Sequence, residues 1–157
     1  MTSSDTLGVE YPLDPALDFL RRLWQLNQAL ERVSARMEKR LQVTAQQRLL
    51  LRCIGKYPGV SAGHLAGLLC LDPGTVSASL NRLESRGLLD RRRDPKDKRR
   101  VALGLTAQGR VVDSPARGTV ESAVDELLSQ VPLNELATMV RVLETLTGLL
   151  HQAARDE

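Results

Sequence analysis

Eight basic side chains crowd into fifteen residues of this chain. Arg86, Arg91, Arg92, Arg93, Lys96, Lys98, Arg99 and Arg100 meet only Asp90, Asp94 and Asp97 in the segment 86–100, a local charge of +5. The whole chain carries +3, so everything outside the segment sums to −2. A near-neutral protein with one dense cationic segment is suited to touch a polyanion at one place rather than to adhere generally. A solvated surface loop is the plainer explanation, and the residues just before the segment bear on the choice. There, Gly74, Thr75, Ser77, Ala78, Asn81 and Arg82 share one side of a helical stretch whose other side is Val76, Leu80 and Leu83. Hydroxyls, an amide and a guanidinium on a slim helix face, with no bulky group to hold it off, are what reading base edges in a major groove requires.

Other chemistry finds little support. The chain has no Gly-rich phosphate loop, no nucleophile elbow and no paired-histidine motif, so neither an enzyme nor a cofactor is expected. Cys53, His64, Cys70 and His151 lack the close paired spacing of zinc ligands. Cys53 lies in LLLRCIG and Cys70 in LLCL, which predicts reduced, buried thiols packed as small hydrophobes. Only Tyr11, Phe19, Trp24 and Tyr57 are aromatic, too few for a platform that stacks single-stranded bases. No run of eighteen uncharged apolar residues occurs, and MTSSDTLGVEYPLDP has neither a basic start nor an apolar stretch. The expectation is a cytoplasmic protein without a membrane span or secretory signal.

The elements that must position the basic segment follow from apolar spacing and cap residues. With 157 residues, 42% apolar and 26% charged, the chain suits one compact domain. Residues 1–13 show no period and are read as a mobile arm. Asp14 as cap and Pro15 at the first position open a helix carrying Leu20, Leu23, Leu26, Leu30, Val33, Met37 and Leu41, about 28 residues or roughly 42 Å. Such a rod is longer than a core this small can cover, so part of its stripe is expected to meet another chain. Thr44 and Gln47 form a capping-box pattern ahead of Leu49, Leu50, Leu51 and Ile54, and Pro58-Gly59 ends that helix. Ser61 caps a short helix through Leu69; Asp72 and Pro73 open the next, which Gly87 closes. Two short helices joined by a tight turn make a helix-turn-helix candidate.

LLDRRR and RRVALGL then read as the two arms of a hairpin with DPKD at its turn. A helix-turn-helix followed by a basic hairpin is the winged arrangement, mainly α with a small β-hairpin wing. Thr106 is placed to cap a further helix, which Pro115 should break, with Ser114 as a second cap and helicity resuming from Ala116. Val120, Val124, Leu127 and Val131, and after Pro132 the series Leu136, Val140, Leu143, Leu146 and Leu150, are two more apolar stripes. This divides the chain into a DNA-binding lobe at 44–106 and dimerisation helices at 14–43 and 107–157, with a two-fold homodimer inferred.

The run LDPGTVSASLNRLESRGLLDRRRDPKDKRRVALGLTAQG resembles the MarR family of bacterial winged-helix regulators. The matching features are the capped recognition helix, RLESRGLL leading into the wing, the tip DPKDKR and the exit LTAQGR. The resemblance implies a homodimer joined through its terminal helices that binds an inverted repeat in double-stranded DNA, often as a repressor that a small-molecule effector or an oxidant releases. Together with the outward face of the recognition helix, it makes Thr75, Ser77, Ala78, Asn81, Arg82, Arg91, Asp97, Lys98 and Arg99 the candidate DNA-binding residues, Asp97 and Arg99 as the matches to the family's wing-tip acid and arginine. Arg99 would enter the minor groove, Asp97 would fix its direction, and Lys98 would meet a phosphate. Thr75, Ser77 and Asn81 are candidates for base edges or nearby phosphates. Ala78 stands where many relatives carry a larger polar side chain, leaving it a thymine methyl to touch. Pro115 departs from a segment that in relatives reads as one continuous helix. Two alternatives stay open: a winged-helix module whose basic wing binds an acidic protein, and a redox sensor using Cys53 or Cys70, although sensing cysteines of the family lie near the start of the first long helix, where this chain has none.

Overall fold

The computed structural model describes residues 12–93, 97 and 101–155. Seven helices and one hairpin follow one another among these residues. Helix α1 spans Pro15–Leu41, with the Asp14 side chain accepting from the Ala16 and Leu17 amides and Pro15 at the first position, where an N–H is dispensable. Helix α2, Ala45–Lys56, opens with the full capping box: Thr44 accepts from the Gln47 amide and Gln47 from the Thr44 amide. Helix α3, Ala62–Leu69, is capped by Ser61, and α4, Pro73–Ser85, by Asp72. Strands β1, Leu89–Arg93, and β2, Val101–Leu105, pair antiparallel with Leu89 opposite Leu105 and Arg93 opposite Val101. Gly87 joins α4 to β1 at a φ of +69°, the left-handed turn a glycine adopts without strain.

The core belongs to α2, α3, α4 and the hairpin. Leu50, Leu51 and Ile54 of α2 interlock with Leu65, with Val76, Leu80 and Leu83 of α4, and with Leu88, Leu89 and Leu103 of the wing base. The base of the wing is also tied by its backbone, since the Gly59 amide donates to the Leu103 carbonyl and the Leu103 amide to the Val60 carbonyl. Helix α5, Ala107–Asp113, is capped by Thr106 and packs on α2 and β2. Although expected to stand with the dimerisation helices, it sits with the lobe. Gly109 permits this, because a Cβ there would lie 1.8 Å from the Leu88 carbonyl oxygen.

The break at Pro115 is present, but its far side differs from expectation. Ser114 does not start a helix; its hydroxyl donates back to the Val111 carbonyl, and its ψ of 151° leaves the helical region. Helicity resumes in α6 at Val120–Leu128 rather than at Ala116, because Thr119 and Ser122 build the capping box there and Gly118, at φ +69°, turns the chain into it. Val131 therefore lies beyond α6. The joint is held from below by arginines. Arg48 of α2, 2% exposed, donates from Nε to Glu121 Oε1 at 2.7 Å, from one terminal nitrogen to the Val112 carbonyl and from the other to the Ser114 carbonyl at 2.8 Å. Arg52 donates to the Asp113 carbonyl at 2.6 Å. The carbonyls that α5 leaves unpaired at its C-terminus are thus satisfied by cations, the charge that the negative end of a helix favours.

Helix α7, Leu133–Ala153, buries no residue, and neither does α6; in α1 only Met37 is buried. Phe19, Leu20, Trp24 at 61%, Leu133 at 83%, Leu143 and Leu150 stand exposed, so packing among the described residues does not account for Phe19 or Trp24. No described helix is long and apolar enough to cross a membrane.

Candidate nucleic-acid interface

Helix α4 divides as its sequence predicts. Val76, Ser79, Leu80 and Leu83 are buried, and Gly74, Thr75, Ser77, Ala78, Asn81 and Arg82 are exposed on the opposite side. Asp72 accepts from the Thr75 amide at 2.9 Å, and the Thr75 hydroxyl lies 3.4 Å from the same oxygen. Thr75 is therefore oriented toward its own helix start, while Ser77, Ala78, Asn81 and Arg82 form an uninterrupted slim face.

The pleat of the hairpin explains which wing arginine meets that face. Side chains alternate along a strand, and Leu89 and its cross-strand partner Leu105 mark the side toward the core; Arg91 shares this side with Leu103, which is buried. At the edge of the core Arg91 reaches α4, donating to Asn81 Oδ1 at 2.8 Å and pairing with Glu84 Oε2 at 2.9 Å. Arg92, on the other side, pairs with Asp90 at 2.9 Å. The structure thus joins Asn81 and Arg91, two of the predicted site residues, and adds Glu84, which the sequence did not single out. The signal was available: Arg91 is two residues from buried Leu89, and Glu84 is three residues from Asn81, hence beside it on the helix. Asp97 is exposed at the wing tip. Lys98 and Arg99 lie outside the described residues, and with them the predicted minor-groove and phosphate contacts.

The two cysteines differ from each other. Cys53 is half-buried against the core, and burial pushes its thiol up, with Lys56 and Arg52 opposing more weakly. Cys70 is exposed, not buried as predicted, because it ends α3 in the left-handed conformation at φ +50° and its side chain falls outside the helix packing. Among the described residues no group of three or more His, Cys, Asp or Glu is placed to hold a metal ion.

Comparison with known proteins adds an independent line. The MarR family profile matches residues 43–101, from just before α2 to the first residue of the second wing strand. The transcriptional regulator HosA of Escherichia coli O111:H- is 32% identical over 108 residues, covering 68% of this chain and 80% of that protein. Among solved structures, Streptococcus pneumoniae FabT in complex with DNA superposes with a TM-score of 0.58 at 26% identity, over 85% of this chain and 98% of that one. The PcaV transcriptional regulator of Streptomyces coelicolor, in complex with its natural ligand, gives 0.63 at 25% identity, over 88% and 97%.

Proposed function

This chain belongs to the MarR family of transcriptional regulators, and from that premise we propose that it binds an inverted repeat in double-stranded DNA as a homodimer and represses transcription there, in the cytoplasm. The observation that carries the reading is the slim polar face of α4 with the wing arginine Arg91 lying against it. One copy offers one such face; two recognition helices related by a two-fold axis would enter major grooves about 34 Å apart, one helical turn of DNA. Ser77, Asn81 and Arg82 face base edges in this reading, Ala78 rests on a thymine methyl, Thr75 lies near the phosphates, and Lys98 and Arg99 grip beside them with Asp97 orienting the arginine.

The uncovered stripes of α1, α6 and α7 supply the dimer contact. Their apolar side chains stand open to solvent in the single chain, and a second copy related by two-fold symmetry covers like with like. Control by a small molecule follows from this design. A ligand held near the junction of arms and lobes shifts the spacing of the recognition helices only by its differential affinity for the two spacings.

Competition tests the reading. The protein should retain one genomic inverted repeat against random duplex with a preference of about a thousandfold or more, and Arg99→Glu should weaken that complex strongly. Equal affinity for every duplex, or a wing that holds an acidic protein with the same strength after DNA is removed, overturns it.

A further inference from the structure

We propose that Asn81 reads guanine rather than adenine in the major groove, because Arg91 already occupies its carbonyl oxygen. The inference rests on the DNA-binding reading above and deepens it to the choice of base. Arginine has five N–H donors and no acceptor, so the Asn81 atom 2.8 Å from Arg91 is the oxygen; one of its two lone pairs is taken by the cation, while the amide nitrogen keeps both donors for DNA. The usual asparagine contact to adenine needs both ends of the amide, with the oxygen accepting from N6 and the nitrogen donating to N7. Guanine asks only for donors, since its N7 and O6 both accept.

Glu84 makes the choice firm. Its carboxylate holds Arg91 at 2.9 Å, with the glutamate and arginine side chains 39% and 31% exposed, so the guanidinium is fixed from two sides of the α4 surface. An adenine complex must either turn Asn81 away from Arg91 or share one oxygen between a cation and an amino group. A guanine complex keeps every bond already present. One turn earlier on the same exposed face, Ser77 and Ala78 are short and add no bulk ahead of Asn81. Arg91 is in this account a positioning residue that acts through Asn81.

The test is a ratio of affinities at one base pair. A binding site selected from random duplex is varied, and the base pair at which Asn81→Ala loses discrimination marks the contact. There the unaltered protein should favour G·C over A·T by about tenfold. Arg91→Leu, which frees the oxygen, should reverse or erase that preference at this base pair alone, and Arg91→Lys should keep it. A merely structural role for Arg91 would weaken all sites alike and leave the ratio unchanged. The inference fails if the unaltered protein prefers A·T at that position, if Asn81→Ala relaxes no position, or if Arg91→Leu leaves the ratio as it was. In each of those cases specific binding persists and the DNA-binding reading survives. Absence of any preferred duplex overturns both.

Discussion

The lobe and the arms of this chain are made from the same kind of amphipathic helix, yet they are finished in different ways. In the lobe, twelve apolar side chains from Val43 to Leu103 close on one another within the chain. In the arms, α6 and α7 bury none, and the 27 residues of α1 bury only Met37. The difference is one of connection rather than length, since α6 has only 9 residues and α4 has 13. The short turns between α2, α3 and α4 fold their apolar faces together, whereas α7, 21 residues and about 30 Å long, follows α6 at the far end of the chain and buries none of its stripe. A stripe therefore says that a face must be covered, and only the connections say whether the chain can cover it itself.

The contrast breaks most visibly in the arms. Leu143→Glu places a charge in the middle of the exposed stripe of α7 and should turn a dimer into monomers by sedimentation or light scattering. Two tethered lobes bind two half-sites with an advantage of about a hundredfold or more over separate ones, so operator affinity should fall by that order. Folding of the lobe should survive. A variant that stays dimeric with full affinity would show that the stripe is covered by something other than a second copy.

The opposite result is expected inside the lobe. Leu80→Ala removes a fully buried side chain from the core side of α4, and should cost about 3 kcal/mol in chemical denaturation, within the range for such cavities. Leu149→Ala, at an exposed site on α7, should change the stability of the lobe by less than about 0.5 kcal/mol. Equal losses at both positions would mean that lobe and arms unfold as one unit.

How legible each region was in the residues follows the same division. The caps at Asp14, Thr44, Ser61, Asp72 and Thr106 are local chemistry, three residues wide, and each stands where its pattern placed it. The polar side of α4 was equally legible, since burial of Val76, Leu80 and Leu83 determines what is left outside. The restart after Pro115 was misplaced because a breaker marks where a helix ends, while the Thr119–Ser122 cap decides where the next begins. The arginines of α2 were not legible at all. Arg48 resembles an ordinary polar position between Gln47 and Leu49, and its partners Val112, Ser114 and Glu121 lie 64, 66 and 73 residues away.

Those arginines hold the joint between the two regions, and their loss should have an intermediate effect. Arg48→Met leaves two backbone carbonyls and Glu121 without their donor; Glu121 Oε2 already has no hydrogen-bond partner. We expect a loss of about 2 kcal/mol, of which adding Glu121→Met recovers part, since replacing both members of a buried pair costs less than orphaning one. A cost in the double variant equal to the sum of the two singles would show that Arg48 and Glu121 act independently. Below this in size stands Asp72→Ala, which removes the cap of the recognition helix and should cost about 1 kcal/mol.

The smallest expected effect probes how dry the edge of the lobe core is. Burial raises the Cys53 thiol above the ordinary thiol range, so the neutral form is the one the fold favours. With the folded value above the unfolded one, this contribution is fully present below the unfolded thiol range and is lost as pH rises through the folded value. Alkylation of Cys53 by iodoacetamide in the native protein should accordingly lag behind the same residue in urea-unfolded chain, with the gap widest near the ordinary thiol range and closing at higher pH. The Cys53→Ser variant should respond to peroxide as the unaltered protein does, because a protonated, half-buried thiol is a poor nucleophile. Native alkylation as fast as in the unfolded chain would mean that the α2 side of the core admits water, and the contrast between a closed lobe and open arms would then be one of degree.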